Sequence, residues 1–272
     1  TTELTFLSNQ SKFDNTLYDK IEIAAGIGND FMSLKTHIHE KENRYSLNLA
    51  AFGKIKENSA DFNLDKTDLR IFSTTWMLDR QANILFNPDK INISNFYLSD
   101  NTHYLEVKGD ISKSNSDTLR MDFSNITPEV LKPFLPKGSL DSLEFKANGD
   151  VKICAVLGNP RFIGEVGINK IKYNRFQYGD LDLSIKETGK VGFLQMNCLF
   201  RSGPLKTLAL NGSLQVNALN GSDLDIYGEL PRKTPIQILQ PFLTGIVGFK
   251  EGYLRGNFHL FGTTENPKAE GL

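Results

Sequence analysis

The chain predicts a mostly β protein, an elongated and repetitive antiparallel sheet carrying two short helices. Three observations predict it. Apolar residues alternate with polar ones in nearly every apolar segment, the period expected of strands with one buried face. Turn-forming residues separate these segments, with no amphipathic helix of ordinary length between them, so parallel strands joined by helical crossovers are not expected. The third is an internal repeat. Gly149, Asn159, Pro160 and Gly164 fall on Gly256, Asn266, Pro267 and Gly271 at one constant offset (256 − 149 = 107). Thr127-Pro128 precedes Thr234-Pro235 by the same offset, and Pro133-Phe134-Leu135 matches Pro241-Phe242-Leu243 after one inserted residue. A long unit used twice is what a stacked β architecture predicts.

Size and charge bound the function. A chain of 272 residues holds one large β domain or about two average ones. Its 31 Lys+Arg against 32 Asp+Glu give a formal charge of −1, which argues against nucleic acid as a partner and against a polybasic membrane surface. The two cysteines, Cys154 and Cys198, lie in alternating apolar segments, where buried free thiols are the simplest reading and a disulfide in an oxidising compartment is an alternative. There is no charged-then-apolar leader and no run of about 18 apolar residues. The chain is therefore expected to be an internal piece of a longer protein whose anchor and address lie outside it.

Taken in order, strands are expected at 4–7, 20–25, 33–39, 45–52, 61–64, 68–72, 82–86 and 91–98. Leu47, Leu49 and Ala51 share one face of theirs, and Asn87-Pro88-Asp89 is a turn. The alternation strengthens at Leu105, Val107, Gly109 and Ile111, and again at Leu119, Met121 and Phe123. Thr127-Pro128 reads as an N-cap and first helical residue, predicting a short helix near 128–135. Thr234-Pro235 predicts another near 235–243. Leu143 to Leu157 carries the longest alternation and reads as one strand bent at Gly149, although Asn148-Gly149 also has the composition of a hairpin turn. Strands follow at 162–168, 171–173, 181–185, 193–200, 208–216 and 224–230, with a type I′ turn at Asn220-Gly221. This divides the chain into an irregular β region of the same sheet over 1–104, a first repeat unit over 105–211 and a second over 212–272.

The pattern Gly256-x-Phe258-x-Leu260-x-Gly262-Thr263-x-x-x-Pro267-x-x-x-Gly271 resembles the recurring segment of the TamB and AsmA-like envelope family, the inner-membrane component of the translocation and assembly module. The first copy departs from it with Ala155-Val156 where Gly-Thr is expected. The resemblance covers about 105–272 and implies a taco-like antiparallel sheet with an apolar groove. It implies a periplasmic location, in a full-length protein anchored to the inner membrane and reaching towards the outer one. It also implies a non-enzymatic role, holding or conducting phospholipid acyl chains along the groove. An alternative within the family is a scaffold that assembles outer-membrane or autotransporter proteins by strand-edge pairing, with an outer-membrane barrel partner engaged through regions absent from this chain.

At residue level the groove would be lined by Leu105, Val107, Leu143, Phe145, Val151, Ile153, Leu208, Leu210, Leu214, Leu254, Phe258 and Leu260. The turns of the repeat would be made by Asn159, Pro160, Gly164, Asn266, Pro267 and Gly271. The same alternation fits the core of a closed β sandwich serving as an interaction or carbohydrate-binding domain, and the residues alone leave both open. No catalytic set, cofactor or metal is expected. His37 and His39 share a strand face without a third ligand nearby. Asp180 with Asp182, and Asp223 with Asp225, read as solvated faces. Gly26-x-Gly28 lacks the third glycine of a dinucleotide fingerprint and reads as a turn.

Overall fold

The computed structural model describes residues 2–13, 16–72, 74–132, 142–174, 176–188, 192–215, 223–235, 252–263 and 266–271. They pack as two units, Thr1–Asn125 with Ile153–Pro160, and Ile126–Lys152 with Arg161–Leu272. The repeat-unit boundaries expected from the sequence, after 104 and after 211, lie at the start of one strand, Tyr104–Ser112, and within another, Leu205–Gln215.

In the first unit β1 (Thr2–Ser8) and β2 (Ser11–Phe13) both lie against β3 (Thr16–Gly28). Next come β4 (Phe31–Glu40), β5 (Tyr45–Lys56) and β6 (Ser59–Ile71), each antiparallel to the one before. Besides β5, β6 serves two further partners, β8 (Ala82–Asn87) along its first half and β7 (Thr74–Leu78) along its second. β9 (Lys90–Ser99) borders both, and β10 (Tyr104–Ser112) and β11 (Thr118–Ile126) complete the series. The segments 61–64 and 68–72, expected as separate strands, join as β6 because a bulge opposite Asn48 and Ala50 absorbs the break in alternation. Gly26 and Gly28 stay within β3, so the turn expected there is displaced. Asn29 and Asp30, with φ of 48° and 64°, make it, as a two-residue hairpin of the primed type requires.

In the second unit α1 (Pro128–Leu131) is a single turn. Thr127 has the extended backbone of an N-cap, φ −109° and ψ 163°, but its side chain makes no capping bond. Residues 133–135 and 236–243, where the rest of the two helices was expected, lie outside the described residues. Thr234 and Pro235 close a strand instead, and the buried Thr234 hydroxyl donates to Thr207 O at 2.6 Å. β12 (Leu143–Cys154) passes Gly149 without turning, which settles the hairpin alternative. It stops short of 157 because Ala155 takes φ 52° and its carbonyl accepts the Gly158 N–H at 2.8 Å. Then come β13 (Arg161–Tyr173), β14 (Phe176–Glu187), β15 (Phe193–Ser202), β16 (Leu205–Gln215), β17 (Asp223–Pro235), β18 (Tyr253–Thr263) and β19 (Pro267–Gly271), each antiparallel to its predecessor from β14 on. The turn expected at 220–221 lies outside the described residues.

The repeat survives as geometry. In the second copy Phe258 pairs with Gly271. In the first copy Gly164 packs against the backbone of Asp150 and Val151, and Val151 precedes Phe258 by the repeat offset (258 − 151 = 107).

Burial is shallow. Among the described residues, half of the buried apolar side chains are alanines and cysteines such as Ala51, Ala82, Ala209 and Cys198. Among the described residues the largest side chains wholly removed from solvent are Glu40, Thr234 and Pro128. Glu40 holds the β4–β5 turn, accepting from the Arg44 amide at 2.8 Å and from Arg44 Nη2 at 2.8 Å. Burial works against its charge, but the Arg44 bonds outweigh it and hold the carboxyl below its usual 4.5.

Two outcomes follow from this packing. Gly109 has φ 115° and its missing side chain would meet the Thr118 carbonyl, whereas Gly271 faces open space. Gly109→Ala should cost about 1–3 kcal/mol, read as a lowered urea midpoint, and Gly271→Ala should leave that midpoint in place. For Glu40 the depressed folded pKa means that its contribution is present above the usual carboxylate range and is lost as pH falls through the folded value. Glu40→Gln should therefore lower stability more at pH 7 than at pH 3 in paired urea titrations.

Candidate functional site

Directly paired residues of an antiparallel sheet project to the same face, so the register builds the site row by row. In the second unit one lateral row runs Val166, Leu183, Cys198, Leu210, Gly228, Phe258 and Gly271 from β13 to β19. The next runs Gly164, Ile185, Met196, Gly212, Ile226, Leu260 and Ala269. No charged side chain stands in either. Phe258 lies over Gly228, whose missing side chain leaves the space its ring fills, the pairing by which an aromatic covers a strand glycine. The first unit repeats the arrangement: Ile23, Ala25 and Ile27 of β3 face Thr36, Leu34 and Met32 of β4. At its other end Leu105 and Val107 of β10 pair with Phe123 and Met121 of β11.

The residues expected to line a groove thus fall into two sets. Leu105, Val107 and Ile153 belong to the first unit, and the other nine to the second. Leu208, Leu210 and Leu214 share the apolar face with Phe258 and Leu260 through β17. Leu254 pairs with Thr234 beyond an irregularity at Gly256, φ 154°. Leu143, Phe145 and Val151 alternate along β12, and all twelve side chains are half-buried. Leu181, Leu183, Ile185, Leu194, Met196 and Phe200 join this face without having been singled out. Their strands carry the same period of two, which was the signal available. Of the turn residues, Asn159 and Pro160 are exposed before β13, and the Asn266 N–H donates to Thr263 O at 3.1 Å just before Pro267 opens β19.

The opposite face of the second unit is hydrophilic and cross-braced. Lys172 reaches Glu144 at 2.6 Å, Lys186 reaches Glu165 at 3.3 Å, and Arg201 pairs with Asp182. A trough of about 940 Å³ opens on this side, lined from β12 to β16 by residues including Asn148, Glu165, Ser184, Asn197 and Asn211. Cys154 and Cys198 are both free and buried. Burial, and then Asp182, push the Cys198 thiol up to about 11, so it is unreactive at neutral pH.

The other singled-out groups are occupied by neighbours. His37 bonds Asn48, and His39 bonds Asp19 at 2.7 Å. Asp180 accepts from the Lys170 amide at 2.8 Å. Among the described residues no three His, Cys, Asp or Glu side chains converge as metal ligands. His259 sits between Asp225 Oδ1 at 2.8 Å and Glu270 Oε1 at 3.3 Å. Both partners only accept, so both ring nitrogens must donate. The Asp225 bond, against some desolvation and with help from Glu270, holds the imidazole above its usual 6.5.

Comparisons with protein-family models, with curated proteins and with solved structures found no match to this chain.

The His259 bridge joins β17 and β18 to β19. Because its folded pKa is raised, the contribution is present below the ordinary histidine value and is lost as pH rises through the folded one. Amide exchange at Ala269 and Glu270 should quicken, relative to the amides of β15, as pH is raised through that range. In His259→Gln this pH-dependent excess should disappear.

Proposed function

We propose that this chain is a non-enzymatic segment of a TamB-like envelope protein, and that its apolar sheet face holds or conducts phospholipid acyl chains. One observation carries the reading: rows of aliphatic side chains run without a charge from β13 to β19, yet most remain half-accessible rather than sealed in a core. Each acyl methylene moved from water onto such a face gains on the order of 0.8 kcal/mol, so a chain is held by continuity of surface and needs no specific polar contact. Headgroups remain in water. The role places the whole protein in the periplasm, anchored to the inner membrane.

A second reading, a scaffold pairing strand edges with outer-membrane clients, draws on β19. All five of its residues are exposed, and among the described residues only β18 pairs with it. Such an edge is a template for strand addition.

Mass spectrometry of lipid extracted from the detergent-free protein tests the first reading. Near-stoichiometric phospholipid, lost in a folded Leu260→Asp or Leu183→Asp variant, is the expected result. A lipid-free protein that also takes none from phospholipid vesicles would overturn it and favour the scaffold.

A further inference from the structure

The hydrophilic face of the second unit carries a row that the acyl-chain reading does not use. Register places Ser184 of β14, Asn197 of β15, Asn211 of β16 and Tyr227 of β17 side by side on adjacent strands. The first three line the trough of about 940 Å³, and Tyr227 stands one strand beyond. The shielded Ser184 Oγ has no hydrogen-bond partner among the described residues, and the exposed Asn197 and Asn211 amides are open to solvent beside it. An orphaned polar atom of that kind is uncommon in folded proteins and asks for an explanation. Tyr227 is 51% exposed although large and aromatic. Its ring stacks on His259 of β18 at 4.4 Å and 4°, so one ring face is covered, and Asn211 is its partner on the other neighbouring strand, β16.

We infer that this row is a binding site for a short neutral oligosaccharide, one sugar ring stacked on the free face of Tyr227 and its hydroxyls bonded by Asn211 and Asn197. The chemistry selects this class in three ways. Backbone groups from β13 to β17 are committed to the ladder, so a ligand lying on the face is read by side chains alone, whereas a peptide strand would add at an edge. At the trough Glu165 is paired with Lys186, Asp182 with Arg201 and Lys206 with Glu229, so the row itself offers amides and a hydroxyl rather than an unpaired charge. Amides donate and accept at once, as a ring of hydroxyls demands, and an aromatic face complements the apolar face of a pyranose. Strands spaced about 4.8 Å apart set these groups in a line long enough for several rings.

Calorimetric titration of the protein with cellotetraose and with chitotetraose, up to millimolar concentration, tests the inference. Binding of at least one is expected, weakened about tenfold or more by Asn197→Ala and by Tyr227→Ala, each loss matching one good contact. Tyr227→Phe should keep most of the affinity, because the ring and not the hydroxyl makes the contact. Asn197 faces solvent and Tyr227→Phe keeps the ring stacked on His259, so the unfolding midpoint should be unchanged in Asn197→Ala and Tyr227→Phe, and lipid retention on the opposite face should survive in every variant. No heat with either tetramer, affinity indifferent to the substitutions, or preference for polygalacturonate in parallel titrations would overturn it.

Discussion

Register is the constraint on which the rest of this molecule depends. Every strand has a period of two, and paired residues share a face, so the apolar rows exist only while each pairing keeps its phase. A slip of one residue between β16 and β17 would set Leu210 beside charged or polar neighbours and break the row that runs through Gly228 to Phe258. The hydrophilic side depends on the same phase. Asn197 and Asn211 are neighbours for the reason that Cys198 and Leu210 are.

Where the phase must change, the chain uses residues that tolerate it. The bulge in β6 lets one strand meet both β7 and β8 without inverting its faces. Gly109 accommodates the shift between β9 and β10, and Gly256 lies at the irregularity between Leu230 and Thr234. Small residues also set how closely backbones approach. Gly164 and Gly212 both lie where an added side chain would meet a carbonyl of the next strand.

Most strands were legible in the sequence because alternation is a local signal, as at Leu105, Val107 and Ile111. The very short β2 and β7 were not, since three or five residues carry too few alternations to register. The reach of β3 through Gly26 and Gly28 was hidden because two glycines resemble a turn, while Asn29 and Asp30 carry the positive φ that makes one. Membership of a face could be assigned within a strand, and Leu208, Leu210 and Leu214 were grouped that way. Membership of a row could not, because Ser184, Asn197, Asn211 and Tyr227 come from four strands and meet only through turn lengths and bulges. The buried Glu40 was illegible for a related reason: its partner Arg44 follows within one turn, and nothing in the composition marks that turn as shielded from water.

The offset that relates Gly164 to Gly271 also relates Val151 to Phe258. A strand, its turn and its return therefore recur as one block with both faces defined. A block whose exits are the same kind of sheet edge as its entrances can be copied without redesign, since the new copy meets backbone groups it already knows how to pair. Gene duplication would then act on such a protein as a ruler does, adding reach in fixed increments while the chemistry of each face is inherited unchanged.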